Sequence, residues 1–138
     1  MNRKNKAGFT LVELMVVAII VAILAAVAIP LMSGNTKRAI ATEGQAGIGT
    51  IKTAQQVYKA EHGGYYPSSF NCATPPSDMT IKAGDFAGKY FGDSSYQVTS
   101  SSNTWSVVAT VSNGSSSYIG KQVSLTDPNA DFTGSLLQ

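Results

Sequence analysis

The sequence predicts an α+β protein: a long N-terminal α-helix, membrane-spanning in its first half and amphipathic in its second, packed on a small antiparallel β-sheet of about three strands. Three observations predict it. No charged residue occurs between Leu14 and Thr36. Apolar residues recur at helical spacing from Lys37 to Glu61. Beyond Tyr96, short β-branched and aromatic runs alternate with Ser/Asn/Gly turns.

The totals agree with a chain of two characters. Of 138 residues, 43% are hydrophobic and 13% charged, against roughly a quarter charged in an ordinary soluble domain. The charges are absent from the apolar run and sparse but regular after it. The formal net charge is +2, and without Arg3, Lys4 and Lys6 it falls to −1. Basicity therefore belongs to the start of the chain, and no nucleic-acid surface is predicted. A positive flank ahead of an apolar span keeps that flank cytoplasmic and sends the rest outward. The predicted organisation is a leader at 1–8, a transmembrane helix at 9–32, an amphipathic helix half at 33–62, a connecting loop at 63–95, and a sheet with a C-terminal tail at 96–138.

Three readings fit the N-terminus. A secretory signal peptide would use "NRKNK" as its charged region, Leu14 to Ala25 as its apolar region and Ala26–Ala28 as its cleavage site. A plain signal anchor would span with Phe9 to Met32, roughly 36 Å of helix against a hydrocarbon core of about 30 Å. Both leave Glu13 unexplained, a carboxylate costing ~3 kcal/mol if it sits deep in lipid. The third reading uses every residue. Basic leader, Gly8, then Phe9-Thr10-Leu11-Val12-Glu13 and an unbroken apolar helix: this resembles the class III signal of type IV pilins and type II secretion pseudopilins.

That resemblance covers residues 1–32 closely and 33–67 loosely. It implies the type IV pilin fold, cleavage between Gly8 and Phe9 by a prepilin peptidase, and methylation of the new amine on Phe9. It also implies self-association into a helical homopolymer, with help from an inner-membrane assembly platform and a separate ATPase. The chain would rest in membrane lipid as a single-pass protein before assembly, and at the cell surface afterwards. A minor or competence pilin is a variant of the same expectation. A signal-anchored periplasmic binding module is the reading from another class.

The resemblance gives Glu13 a role. A buried carboxylate is tolerated when a cation meets it, and cleavage would create one on Phe9. Pairing of Glu13 with the Phe9 amine of a docked neighbour would neutralise two charges and fix axial register, as polar groups do in coiled coils. Both residues are thus predicted assembly residues.

Further along, Pro30 and Gly34 predict a kink, because proline removes a helical hydrogen bond and clashes with the preceding turn. Helical spacing then resumes, with Ile40, Gly44, Gly47, Ile48, Ile51, Ala54 and Tyr58 on one face. Gly44 and Gly47 would let a sheet approach closely. Gly63-Gly64 is a helix stop. "YKAEHGGYYP", Tyr58 to Pro67, is similar to the close of the long helix in many pilins. His62 sits where a helix dipole favours a cation. Residues 68–95 read as a loop with a helical turn near Ala83–Tyr90. Strands are predicted at Tyr96–Ser100, Thr104–Val111 and Tyr118–Leu125, with Trp105, Val107, Ala109 and Val111 on the packed face. Residues 126–138 read as a tail.

No HExxH, Cys/His cluster, phosphate loop or partnered nucleophile is present in the sequence, so no enzyme, cofactor or metal is predicted. Asp127, Asn129 and Asp131 imitate the opening of a calcium loop, but Phe132 stands where its turn glycine belongs. The lone Cys72 has no partner for an internal disulfide and reads as a small loop residue. Asn113–Ser115 fits a glycosylation acceptor and also a plain solvated turn.

Overall fold

The computed structural model describes residues 8–126 and 131–138. The predicted leader other than Gly8, and Asp127 and Asn129 of the calcium-like run, lie outside the described residues. The chain forms two compact units that divide between Thr36 and Lys37.

One helix, α1 (Leu11–His62, 52 residues), contributes to both units, and Pro30 lies inside it. Its end follows the predicted glycine stop: Gly63 has φ +80 and its N–H donates to the Lys59 carbonyl at 2.9 Å. From Lys37 onward α1 buries the predicted stripe of Ile40, Ile48, Ile51 and Ala54. Both glycines on that face serve close approach. A methyl on Gly44 would come 2.9 Å from Phe91 Cζ, and one on Gly47 would come 2.5 Å from Tyr96 Cζ.

The sheet has four antiparallel strands in the order β1 (Phe70–Asn71), β2 (Tyr96–Ser100), β3 (Trp105–Thr110), β4 (Gln122–Thr126). Val98 pairs with Val107, and Val107 with Leu125. Alternation places Trp105, Val107 and Ala109 inside. Together with Tyr96, Val98, Val123 and Leu125 they share one core with the helix stripe.

Several details differ from expectation. The two-residue β1 falls in the predicted loop, because so short a strand leaves no periodic signal. β4 begins at Gln122 rather than Tyr118, since residues 115–121 coil into turns in which Tyr118 N–H donates to Ser115 and Lys121 N–H to Tyr118. Near the expected helical turn at 83–90 the chain makes two turns, with Asp85 N–H on the Lys82 carbonyl and Ala87 N–H on that of Gly84, and no continuing helix. Carboxylates take further amides there: Asp93 accepts from Gly84 and Phe86, and Glu43 Oε1 from Tyr90 at 2.8 Å and Phe91 at 3.0 Å. Nor does the C-terminal segment trail away. Thr133 bridges to Ser124, and Leu136 is buried with its N–H on the Gln122 carbonyl.

Candidate functional site

The candidate site is the first turn of α1 and the apolar flank behind it. Thr10 stands at the helix start, where the first amides have no intrahelical partner. Glu13 Oε2 accepts from the Thr10 N–H and from Thr10 Oγ1, both at 2.8 Å, and Glu13 N–H donates back to Thr10 Oγ1 at 3.3 Å. This is a capping box, two residues satisfying each other's amides. Its signature, Thr10-x-x-Glu13 ahead of an apolar run, is legible in the sequence but was not part of the expectation built on Glu13.

The structure therefore brings Glu13 to Thr10. Phe9 is 83% exposed, and nothing lies within 4 Å of a Cβ built on Gly8. Glu13 Oε1 has no hydrogen bond among the described residues, and a carboxylate has acceptor capacity on both oxygens. The cap leaves room for a cation.

Behind the cap, the large hydrophobic side chains described between Phe9 and Met32 stay uncovered, the least exposed being Val16 at 48%. By length and composition this stretch can cross a membrane. Pro30 donates no amide, and Ser33 Oγ donates to its carbonyl at 3.0 Å. Gly34 has nothing within 4 Å of a built Cβ. Proline removes one intrahelical hydrogen bond here, and α1 continues through both residues.

The second unit contributes rigidity. Gln55, fully buried, accepts from Tyr66 N–H at 3.0 Å and donates to Ser100 Oγ at 3.2 Å; Ser100 Oγ donates to the Tyr66 carbonyl at 2.5 Å. One glutamine thus ties the helix, the Tyr66–Pro67 turn and β2 into a satisfied network. A buried polar residue inside an apolar stripe gave no sequence signal. His62 stacks on Tyr58 at 4.1 Å between centroids, with Nδ1 3.2 Å from the Tyr58 carbonyl. The Cys72 thiol is buried, and burial with nearby Asp93 pushes its pKa up to about 12. Such a thiol is not a nucleophile at neutral pH. Asn113 is exposed in the β3–β4 connection, as is Asp131 near the C-terminus. Among the described residues no group of three or more His, Cys, Asp or Glu is placed to hold a metal ion.

Comparison with known proteins points to the same end of the chain. Residues 3–29 match the family described as the prokaryotic N-terminal methylation motif. Type II secretion system core protein G of Pseudomonas aeruginosa is 37% identical over 65 residues, covering 47% of this chain and 46% of that protein. A type IV major pilin of Neisseria gonorrhoeae is 43% identical over 84 residues, covering 59% of this chain and 50% of the pilin. A fimbrial protein of Neisseria meningitidis is 42% identical over 90 residues, with 65% and 49% covered. The chain spans about half the length of the curated relatives it matches. Through its methylation motif and the long helix that follows, the chain is a homologue of the type IV pilins and of the type II secretion pseudopilins.

Proposed function

We propose that this chain is a structural subunit that polymerises through its N-terminal apolar helix into a type IV pilus-like filament. The observation that carries the reading is an apolar flank uncovered among the described residues and headed by a single carboxylate, one of whose oxygens makes no hydrogen bond to them. Exposed hydrocarbon on that scale requires lipid or other helices around it, at about 25 cal/mol for each Å² covered.

In this reading a prepilin peptidase cuts between Gly8 and Phe9, and the Phe9 amine is methylated. The new ammonium on an incoming or neighbouring copy meets Glu13 at Oε1, while Thr10 continues to hold Oε2. Apolar contact between helices supplies the remaining attraction, and the ion pair sets register. Pro30 and Gly34 form a kink where the helix adjusts to its neighbours. The contact is heterologous, which produces an open helical polymer. Before assembly the chain sits in the inner membrane with its N-terminus in the cytoplasm; an assembly platform and a separate ATPase extract it. Catalysis is no part of the role.

Similarity to core protein G over 47% of the chain favours one second reading, a secretion pseudopilus. Intact mass spectrometry of the membrane form tests the shared part. Loss of residues 1–8 with a gain of one methyl is expected; cleavage after Ala28, or no cleavage, refutes it. Shearing cells then divides the two readings, since a pilus subunit is recovered in long extracellular fibres.

A further inference from the structure

Between α1 and the 85–88 turn lies a cleft of about 220 Å³, lined by Glu43, Gly47, Thr50, Asp85, Gly88 and Tyr96 among others. Two of these are carboxylates, and no cationic side chain lines it. Tyr96 is 98% buried, its ring held between Phe86 and Phe91 at centroid distances of 5.1 and 5.7 Å. Its hydroxyl reaches the helix at Gly47, on the cleft floor, and makes no hydrogen bond to any described residue. Trp105 Nε1 is the buried side-chain polar atom without a partner among the described residues, so the Tyr96 hydroxyl, unpartnered too, is open to the cleft.

The carboxylates are each half engaged. Glu43 Oε1 holds the amides of Tyr90 and Phe91, and Asp85 Oδ2 holds that of Lys82. Glu43 Oε2, Asp85 Oδ1 and the Tyr96 hydroxyl are left without a hydrogen bond among the described residues. Three acceptors and a surplus of negative charge match one chemistry well. A primary ammonium carries three donors and no acceptor. A divalent ion would need more oxygen ligands than two half-engaged carboxylates and a phenol.

The source of the ammonium is also on the molecule. Among the described residues of the second unit, no lysine or arginine is paired with a carboxylate side chain. Lys59, Lys89 and Lys121 lie over tyrosine rings, and Lys37 donates to the Gln138 carbonyl. Arg38, Lys52 and Lys82 have no side-chain partner among the described residues. Apart from Arg38 these cations are all lysines. We propose that the Glu43–Asp85–Tyr96 cleft is a socket for the lysine ammonium of a second copy of this chain, an inference that rests on the filament reading above. Burial, then the charge of Glu43, raises the Tyr96 pKa, so the hydroxyl stays protonated and accepts through its lone pairs. The socket would give the outer part of the polymer a directional, salt-sensitive contact, independent of the apolar helices.

The test is zero-length carbodiimide coupling, which joins a carboxylate to an amine already in contact. Filaments are sheared from cells shifted between nitrogen-14 and nitrogen-15 medium, so that both isotopic forms coexist in one polymer. Cross-linked peptides joining Glu43 or Asp85 to a lysine are expected as isotopic hybrids. Tyr96→Phe keeps the ring and removes the oxygen; it should lower hybrid yield roughly fivefold, the loss expected for one hydrogen bond. Filaments that yield only like-isotope links, none at these carboxylates, or an unchanged yield in Tyr96→Phe overturn the socket and leave the polymer standing. A chain that makes no filaments overturns both.

Discussion

Gly47 faces the Tyr96 hydroxyl so closely that no side chain fits between helix and sheet. A methyl placed there would lie 2.5 Å from Tyr96 Cζ, well inside van der Waals contact. Gly47→Ala should therefore destabilise the second unit by about 1–3 kcal/mol, the usual cost of overpacking. Gly49 is two residues on and meets nothing within 4 Å. Gly49→Ala should stabilise it by roughly 0.5–1 kcal/mol through helix propensity alone. Denaturant titration in detergent measures both, and opposite signs are the expected outcome.

Gln55 offers a second comparison. Replacing it with Leu would strand the Tyr66 amide and loosen Ser100, each partnered by the buried side chain. A cost of about 1–3 kcal/mol is expected for the unsatisfied groups. Hydrogen exchange should locate it: the Tyr66 amide loses protection while amides of β3 change little.

The Cys72 thiol is predicted to resist iodoacetamide at pH 8 in the folded chain and to react once unfolded. Its folded pKa is about 12, raised from 9.0 by burial first and by Asp93 second. Below pH 9 both states hold the proton and the stabilising contribution is complete. As pH rises from about 9 to about 12 the unfolded state releases protons first, and stability falls. Tyr96, raised likewise, acts in the same direction. A melting temperature independent of pH across this window would contradict the assignment.

Glu13 carries two separable duties, capping and charge. Glu13→Gln keeps an oxygen for the Thr10 amide and loses the charge; Glu13→Val loses both. Both variants should be processed and retained in the membrane, and both should fail to enter filaments if the charge governs assembly. Incorporation of the Gln variant at wild-type levels would assign the residue to capping instead. Immunoblots of sheared and membrane fractions distinguish these outcomes.

Much of the fold was legible because it repeats. The Ile40-Ile48-Ile51-Ala54 stripe and the Trp105-Val107-Ala109 alternation are periodic, and the buried faces match them. Gly44 and Gly47 were readable as close-approach positions, since glycine on a buried helix face has few other uses. What escaped was set by single contacts. β1 is too short to have a period, and Gln55 is a polar residue whose partners lie 11 and 45 positions away. At the candidate site, the lone acid in hydrocarbon was conspicuous and drew attention to Phe9. Its nearer partner, Thr10, was hidden by being ordinary.

Among the described residues, nothing covers the large apolar side chains of the stretch from Phe9 to Met32. A copy released into water would carry a naked oily rod, so solvent is closed to it as a route. In the filament reading proposed above, leaving the bilayer and joining sister subunits would then be one continuous transfer between two greasy surroundings. A machine performing that hand-over would never have to hold a wet intermediate.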